Sequence, residues 1–166
     1  LMYGSAFSSD VMDARGFGWQ IETMPPHDWG ALIAAKDVEL DRLEGIYRSL
    51  LKNAGATLIA GWAQLLSPHE VTVNNKVYSA EKILVAVGGT PQIIDLPGLA
   101  QHAITSSQAL NLKKFPKDVV VYGSGYIALE FAGIFNGFGA ATHLVYRSDL
   151  PLRGFDEDIR KHIAVA

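Results

Sequence analysis

Apolar and polar positions change period several times along the chain, and each change predicts an element. Residues 1–26 mix short polar and apolar stretches, include Asp13-Ala-Arg-Gly-Phe-Gly-Trp19, and end on the break Pro25-Pro26. From residue 28 to residue 53 the apolar positions Trp29, Leu32, Ile33, Leu40, Leu43, Ile46, Tyr47 and Leu50 recur at three- and four-residue steps. That spacing predicts a long amphipathic helix, with Asp28 as N-cap and Gly55 as the stop. Asp37, Asp41, Glu44, Arg48 and Lys52 line the opposite face, and Glu44 and Arg48 stand in the favourable order for an i,i+4 ion pair.

The period then shortens. Residues 57–60, 63–66, 70–73 and 77–78 predict short strands, with the Asn74-Asn75 pair as a hairpin turn. Residues 83–87, Ile-Leu-Val-Ala-Val, form an unbroken apolar run closed by Gly88-Gly89, the pattern of a buried strand. Residues 90–118 hold Pro91, Pro97-Gly98 and Pro116 without a long apolar period, and a connector is placed at 96–118. Val119-Val-Val-Tyr122 predicts a second buried strand. A helix runs from the following glycine turn to about Phe138, where Gly139 stops it. A strand over 141–146 and a helix over 155–165 complete the chain. Strand, glycine turn, helix and strand in this order predict a βαβ unit with a parallel sheet, hence an α/β fold.

Composition narrows the function classes without choosing one. With 49% hydrophobic and 19% charged residues the chain has the makings of a core, and disorder is excluded. A net charge of −3, with no basic cluster beyond Lys113-Lys114, gives nucleic acid and anionic membranes no electrostatic footprint. There are no cysteines, and the five histidines fall at no ligand spacing, so no metal site is expected. No apolar run reaches membrane-spanning length. Leu1-Met-Tyr-Gly-Ser5 has the form neither of a signal peptide nor of a natural start, so the chain is expected to begin in mid-protein.

Chemistry enters at Gly123-Ser-Gly-Tyr-Ile-Ala128, which fits Gly-x-Gly-x-x-Gly/Ala between an apolar strand and a helix. Gly123 allows the tight turn and Gly125 lets a pyrophosphate approach the backbone. Ala128 keeps the helix close to the strand, and the free N–H groups at the helix start hold the anion. Glycines kept only for packing are the weaker reading, because strand, helix and second strand all satisfy the context that the motif requires. The end of the second strand selects the dinucleotide. An NAD site places a carboxylate there for the ribose 2′-OH, whereas this chain has Arg147, with Arg153 in the same loop. Guanidinium groups suit a doubly charged 2′-phosphate, so NADPH is favoured over NADH; Asp149 lies beyond the strand end.

The stretch from Gly123 to Gly139, with Tyr146-Arg147 and Leu152-Arg-Gly-Phe-Asp-Glu-Asp158, closely resembles the bacterial glutathione reductases. These are class I pyridine nucleotide-disulfide oxidoreductases. Further matches are Asp13-Ala-Arg-Gly-Phe-Gly-Trp19, Leu43-Glu-Gly-Ile-Tyr47, Ile83-Leu-Val-Ala-Val-Gly-Gly89 and Ile104-Thr-Ser106, in collinear order over essentially the whole chain. The resemblance implies Rossmann-like FAD- and NAD(P)-binding domains: part of an FAD-binding domain with a β-meander over 1–95, and the first half of an NADPH-binding domain over 119–166. It implies electron flow from NADPH through FAD and a dithiol to glutathione disulfide, in a soluble cytoplasmic homodimer.

By the same resemblance Gly123, Ser124, Gly125 and Ile127 belong to the NADPH pyrophosphate loop, and Arg147 and Arg153 to the 2′-phosphate clamp. Tyr126 covers the nicotinamide face of the flavin, and Glu130 lies near the nicotinamide end. Without the resemblance Glu130 is a costly charge on an apolar helix, in need of a partner or a function. Trp62, Ala63, Val87 and Gly88 match FAD-lining positions, and Ser106 is a weaker candidate of that kind. Position 87 is usually threonine, so Val87 forfeits a side-chain hydrogen bond. Tyr47 matches a tyrosine at the glutathione site, and equally fits the apolar stripe of its helix.

The family's Cys-x4-Cys pair is expected just upstream of Leu1, its FAD pyrophosphate loop further upstream, and its His-Glu pair in a C-terminal dimerisation domain. No catalytic residue is therefore assigned within this segment. A two-stranded parallel sheet is expected to leave apolar surface open. An NAD-linked enzyme of the lipoamide dehydrogenase type is the nearest alternative, and would want an acid at Arg147. A trypanothione- or mercury-directed relative and a non-catalytic dinucleotide-binding module are the others.

Overall fold

The structure, a computed structural model, describes residues 1–165. The chain divides into two units, Leu1–Ala34 together with the residues from Ile93 onward, and Ala35–Gln92. The first unit contains helix α1 (Met2–Asp13), a single 3-10 turn at Ala14–Phe17, and the start of α2 (Trp29–Asn53). After the second unit it resumes with the short helices α3 (Leu99–His102) and α4 (Ser106–Ala109), then β4 (Asp118–Tyr122), α5 (Tyr126–Gly137), β5 (Ala141–Val145) and α6 (Glu157–Val165). The second unit holds the rest of α2 and the strands β1 (Ala63–Ser67), β2 (Glu70–Val73) and β3 (Lys76–Ser79).

The βαβ pattern appears as expected. Strands β4 and β5 pair in parallel, from Asp118 opposite Ala141 to Tyr122 opposite Val145, with α5 as the crossover. The core of this unit is aromatic. Trp29 and Phe135 are buried, and the Trp29 ring lies 5.1 Å from Phe115 and 5.5 Å from Phe138, edge-on to the latter. The indole N–H donates to the Leu112 carbonyl at 2.8 Å, which satisfies the polar atom of a large buried side chain. Helices α1 and α5 meet through small residues. A Cβ on Gly137 would lie 2.7 Å from the Ser5 carbonyl oxygen, so only glycine permits the approach.

Helix α2 starts where the sequence places it. The Asp28 carboxylate accepts from the Ala31 N–H at 3.0 Å, the N-cap contact, and Glu44 pairs with Arg48. In the second unit β1, β2 and β3 form an antiparallel meander in that order. Asn74 and Asn75, at φ 51° and 62°, make the two-residue turn that sets Val73 opposite Lys76.

Two predicted strands do not form. Residues 57–60 and 83–87 have no ladder partner, and Leu84 and Val87 are 90% and 88% exposed. Composition registers how readily a segment accepts burial, but strand structure requires a neighbour to take its N–H and C=O groups. Among the described residues no segment does so. The long helix shows the same excess. Its apolar stripe is buried at Trp29 and Ile33, while Leu40, Ile46, Tyr47 and Leu50 face solvent. The accessible surface, 13220 Å², exceeds both the about 8,000 Å² of a folded monomer of this mass and the about 9,600 Å² of two separately folded units. Among the described residues no helix is long and apolar enough to cross a membrane.

Candidate functional site: the glycine turn and the arginine loop

The end of β4 runs directly into Gly123, whose N–H donates to the Val145 carbonyl at 2.9 Å and extends the pairing with β5 past the strand ends. Gly123 has φ 141°, a conformation side-chain-bearing residues rarely adopt, and a Cβ there would approach the Ala128 methyl at 3.4 Å. Turn and helix therefore close on each other because both residues are small. Gly125, the N-cap of α5, is different. Its φ of −76° suits any residue, and a Cβ would meet nothing within 4 Å. Local conformation does not demand glycine at 125, but an approaching ligand does. Tyr126, Ile127 and Ala128 follow in the first helical turn, where N–H groups have no intrahelical acceptor. This donor cluster fits a diphosphate.

The loop after β5 is docked on that turn. The Leu152 N–H donates to the Ser124 carbonyl at 2.7 Å, Pro151 is fully buried and Leu152 nearly so. Leu152 sits at φ 54°, a left-handed conformation that costs a leucine about 1–2 kcal/mol. Arg147 and Arg153 lie at the two ends of this pinned segment, both exposed. Among the described residues neither guanidinium has an ion-pair partner, and Asp149 pairs with neither. Two free cations thus stand on a loop hydrogen-bonded to an anion cradle, an arrangement suited to a nucleotide carrying an additional phosphate.

Tyr126 and Glu130 are one turn apart on α5, and both are exposed, as is Ile127. Exposure removes the argument that Glu130 is a costly buried charge, because water solvates its carboxylate. The residues expected to line FAD are divided between the two units. Trp62, Ala63, Val87 and Gly88 belong to the second unit, and Ser106, half-buried at the start of α4, belongs to the first. Trp62 is held at the head of β1 by its neighbour Gly61, where a Cβ would lie 2.6 Å from Val73, and by the Asn74 side-chain amide, which donates to the Ala60 carbonyl at 2.8 Å. Tyr47 is 63% exposed, so packing within this chain does not account for it.

Three residues of the arginine loop's support escaped the sequence pattern. Pro151 offers its carbonyl, Leu152 its N–H and Arg160 its guanidinium, and hydrogen bonds to main-chain carbonyls nine and ten residues away leave no periodic signature.

Comparison with known proteins shows the family. The family described as pyridine nucleotide-disulphide oxidoreductase matches residues 4–166. The chain is 50% identical over 157 residues to the chloroplastic/mitochondrial glutathione reductase of Pisum sativum, covering 95% of this chain and 28% of that protein. It is 43% identical over 163 residues to the glutathione reductase of Burkholderia cepacia, covering 98% of this chain and 36% of the relative. It is 35% identical over 178 residues to the trypanothione reductase of Leishmania donovani, again covering 98% of this chain and 36% of the relative. The chain thus spans about a third of the length of these curated relatives. A βαβ unit with a glycine turn, a docked arginine loop and a match over nearly every residue lead to one assignment: the chain belongs to the pyridine nucleotide-disulphide oxidoreductase family.

Proposed function

We propose that this chain forms the NADPH-grasping part, and a portion of the FAD-binding part, of an enzyme that reduces glutathione disulfide. The observation that carries the reading is the hydrogen bond from the Leu152 N–H to the Ser124 carbonyl, which ties the loop of Arg147 and Arg153 to the glycine turn. Gly123, Ser124, Gly125 and Ile127 form the diphosphate cradle, and Arg147 and Arg153 grip the 2′-phosphate. Tyr126 and Glu130, on the first turns of α5, border the nicotinamide. Trp62, Ala63, Val87, Gly88 and Ser106 contribute to the FAD site. Tyr47 contributes to the disulfide substrate's site, a role its exposure leaves open to it.

When bound, NADPH supplies a hydride and FAD passes the electrons on to a disulfide. The chain's own residues bind and orient. Donors at the head of α5 offset the diphosphate charge, and the two guanidinium groups discriminate between nucleotides that differ only in the 2′-phosphate. The chain contains no cysteine, so thiol chemistry is assigned to residues outside this sequence. The names of the pea and Burkholderia relatives favour glutathione disulfide over the trypanothione named for the more distant Leishmania protein. The bacterial resemblance supports a cytoplasmic homodimer; sedimentation of the intact protein tests the dimer, and fractionation tests the compartment against the organelles in the pea protein's name. The test of activity is steady-state turnover of the intact protein. NADPH oxidation that depends on glutathione disulfide is expected; oxidation supported only by trypanothione disulfide or by lipoamide-type disulfides overturns the assignment.

A further inference from the structure

We propose that Arg160 is a positioning residue for cofactor selectivity: it grips the 147–153 loop from the α6 side and holds Arg147 and Arg153 where a 2′-phosphate meets both. The inference rests on the NADPH reading above and adds to it a residue that touches neither nucleotide nor flavin.

The geometry is specific. Arg160 Nε donates to the Pro151 carbonyl at 2.7 Å, and Nη2 to the Leu150 carbonyl at 3.0 Å. One edge of a planar guanidinium thus spans two consecutive main-chain acceptors, which a lysine's single nitrogen cannot reproduce in one plane. Among the described residues the Pro151 carbonyl has no other donor, while Leu150 shares its oxygen with the Ser148 hydroxyl at 3.0 Å. Arg160 is itself well seated. It lies in the first turns of α6, whose start is capped by the Asp156 carboxylate accepting from the N–H groups of Asp158 and Ile159 at 3.0 and 3.2 Å.

What Arg160 holds is a strained segment. Leu152 keeps its left-handed backbone while its N–H reaches the Ser124 carbonyl. Such a conformation persists only where its surroundings over-determine it. One restraint comes from the glycine turn, a second from the Phe155 N–H, which donates to the Leu152 carbonyl at 3.0 Å, and a third from Arg160 on the two residues before it. Releasing the α6 side lets Leu152 relax to an ordinary conformation, which withdraws its N–H from Ser124 and frees Arg147 and Arg153 from a fixed spacing. A direct electrostatic role for Arg160 would need only its charge; the positioning role needs its shape.

Calorimetry on the intact protein with 2′,5′-ADP and 5′-AMP, ligands that differ only in the 2′-phosphate, separates these roles. Arg160→Ala and Arg160→Lys are both expected to weaken 2′,5′-ADP by roughly tenfold, leave 5′-AMP unchanged, and raise KM for NADPH more than they lower kcat. Arg147→Ala is the control and is expected to lose 2′,5′-ADP affinity. Wild-type affinity in Arg160→Lys overturns the inference in favour of a simple charge. Equal loss of both ligands in the variants overturns it in favour of general disruption. An effect of Arg147→Ala without one of Arg160→Ala removes the positioning role and leaves the NADPH reading intact, whereas no effect of Arg147→Ala removes both.

Discussion

Replacing Arg147 by glutamate tests the selectivity of the site by reversing one charge at the end of β5. Among the described residues the exposed Arg147 guanidinium has no hydrogen-bond or ion-pair partner, so its replacement breaks no polar contact there and its effect falls on the ligand. One charge-assisted hydrogen bond to phosphate is worth about 1.5–3 kcal/mol, or about 10- to 150-fold in kcat/KM for NADPH. Exposure places the expected loss near the lower end, because water and salt screen the pair. The glutamate also supplies the acceptor that NADH's ribose 2′-OH lacks in the wild type, worth about another 1 kcal/mol in the opposite direction. Together these shift the NADPH-to-NADH preference by about a hundredfold. The assay is steady-state oxidation of each nucleotide by the intact protein at low and high ionic strength, with the wild-type preference falling as salt rises. A wild type that uses both nucleotides equally, or an unchanged ratio in Arg147→Glu, refutes the reasoning.

Other outcomes follow from the same geometry. Gly125→Ala puts its methyl into open space at an ordinary φ, so melting temperature should hold while NADP⁺ affinity drops; Gly123→Ala, at φ 141°, should lower the melting temperature as well. Gly137→Ala forces a methyl to within 2.7 Å of the Ser5 carbonyl oxygen and should destabilise the intact protein by about 1–3 kcal/mol in denaturant titrations. Gly133→Ala, whose nearest neighbour is the Met2 side chain at 3.8 Å, should be neutral or stabilising by up to about 1 kcal/mol. The isolated 166-residue chain should show no glutathione disulfide reduction, because it has no thiol to relay electrons; turnover by the purified segment would contradict this.

Local signals were the most legible part of the fold. The helix from Trp29, the Asn74-Asn75 turn and the glycine turn before α5 each depend on residues within a few positions of one another, and each formed where the pattern put it. Strands at 57–60 and 83–87 depend on neighbours distant in sequence, and composition alone could not reveal that none pairs with them among the described residues. The site divides along the same line. Gly123, Gly125 and Arg147 could be read from position relative to a strand and a helix. The docking of Leu152 on Ser124 joins two main-chain groups, and the Arg160 guanidinium grips main-chain carbonyls, which every residue has, so the identity of the acceptor residues carried no mark of either contact. Glu130 shows the opposite error: an acid in an apolar stretch looked buried, yet it lies on the exposed side of α5.

A crystal structure of the intact protein with NADP⁺ bound tests the central claim most directly. The account predicts the diphosphate above Gly125 at the head of α5, and the adenosine 2′-phosphate within hydrogen-bonding distance of both Arg147 and Arg153. A nucleotide bound with that phosphate turned to solvent, away from both guanidinium groups, would contradict it.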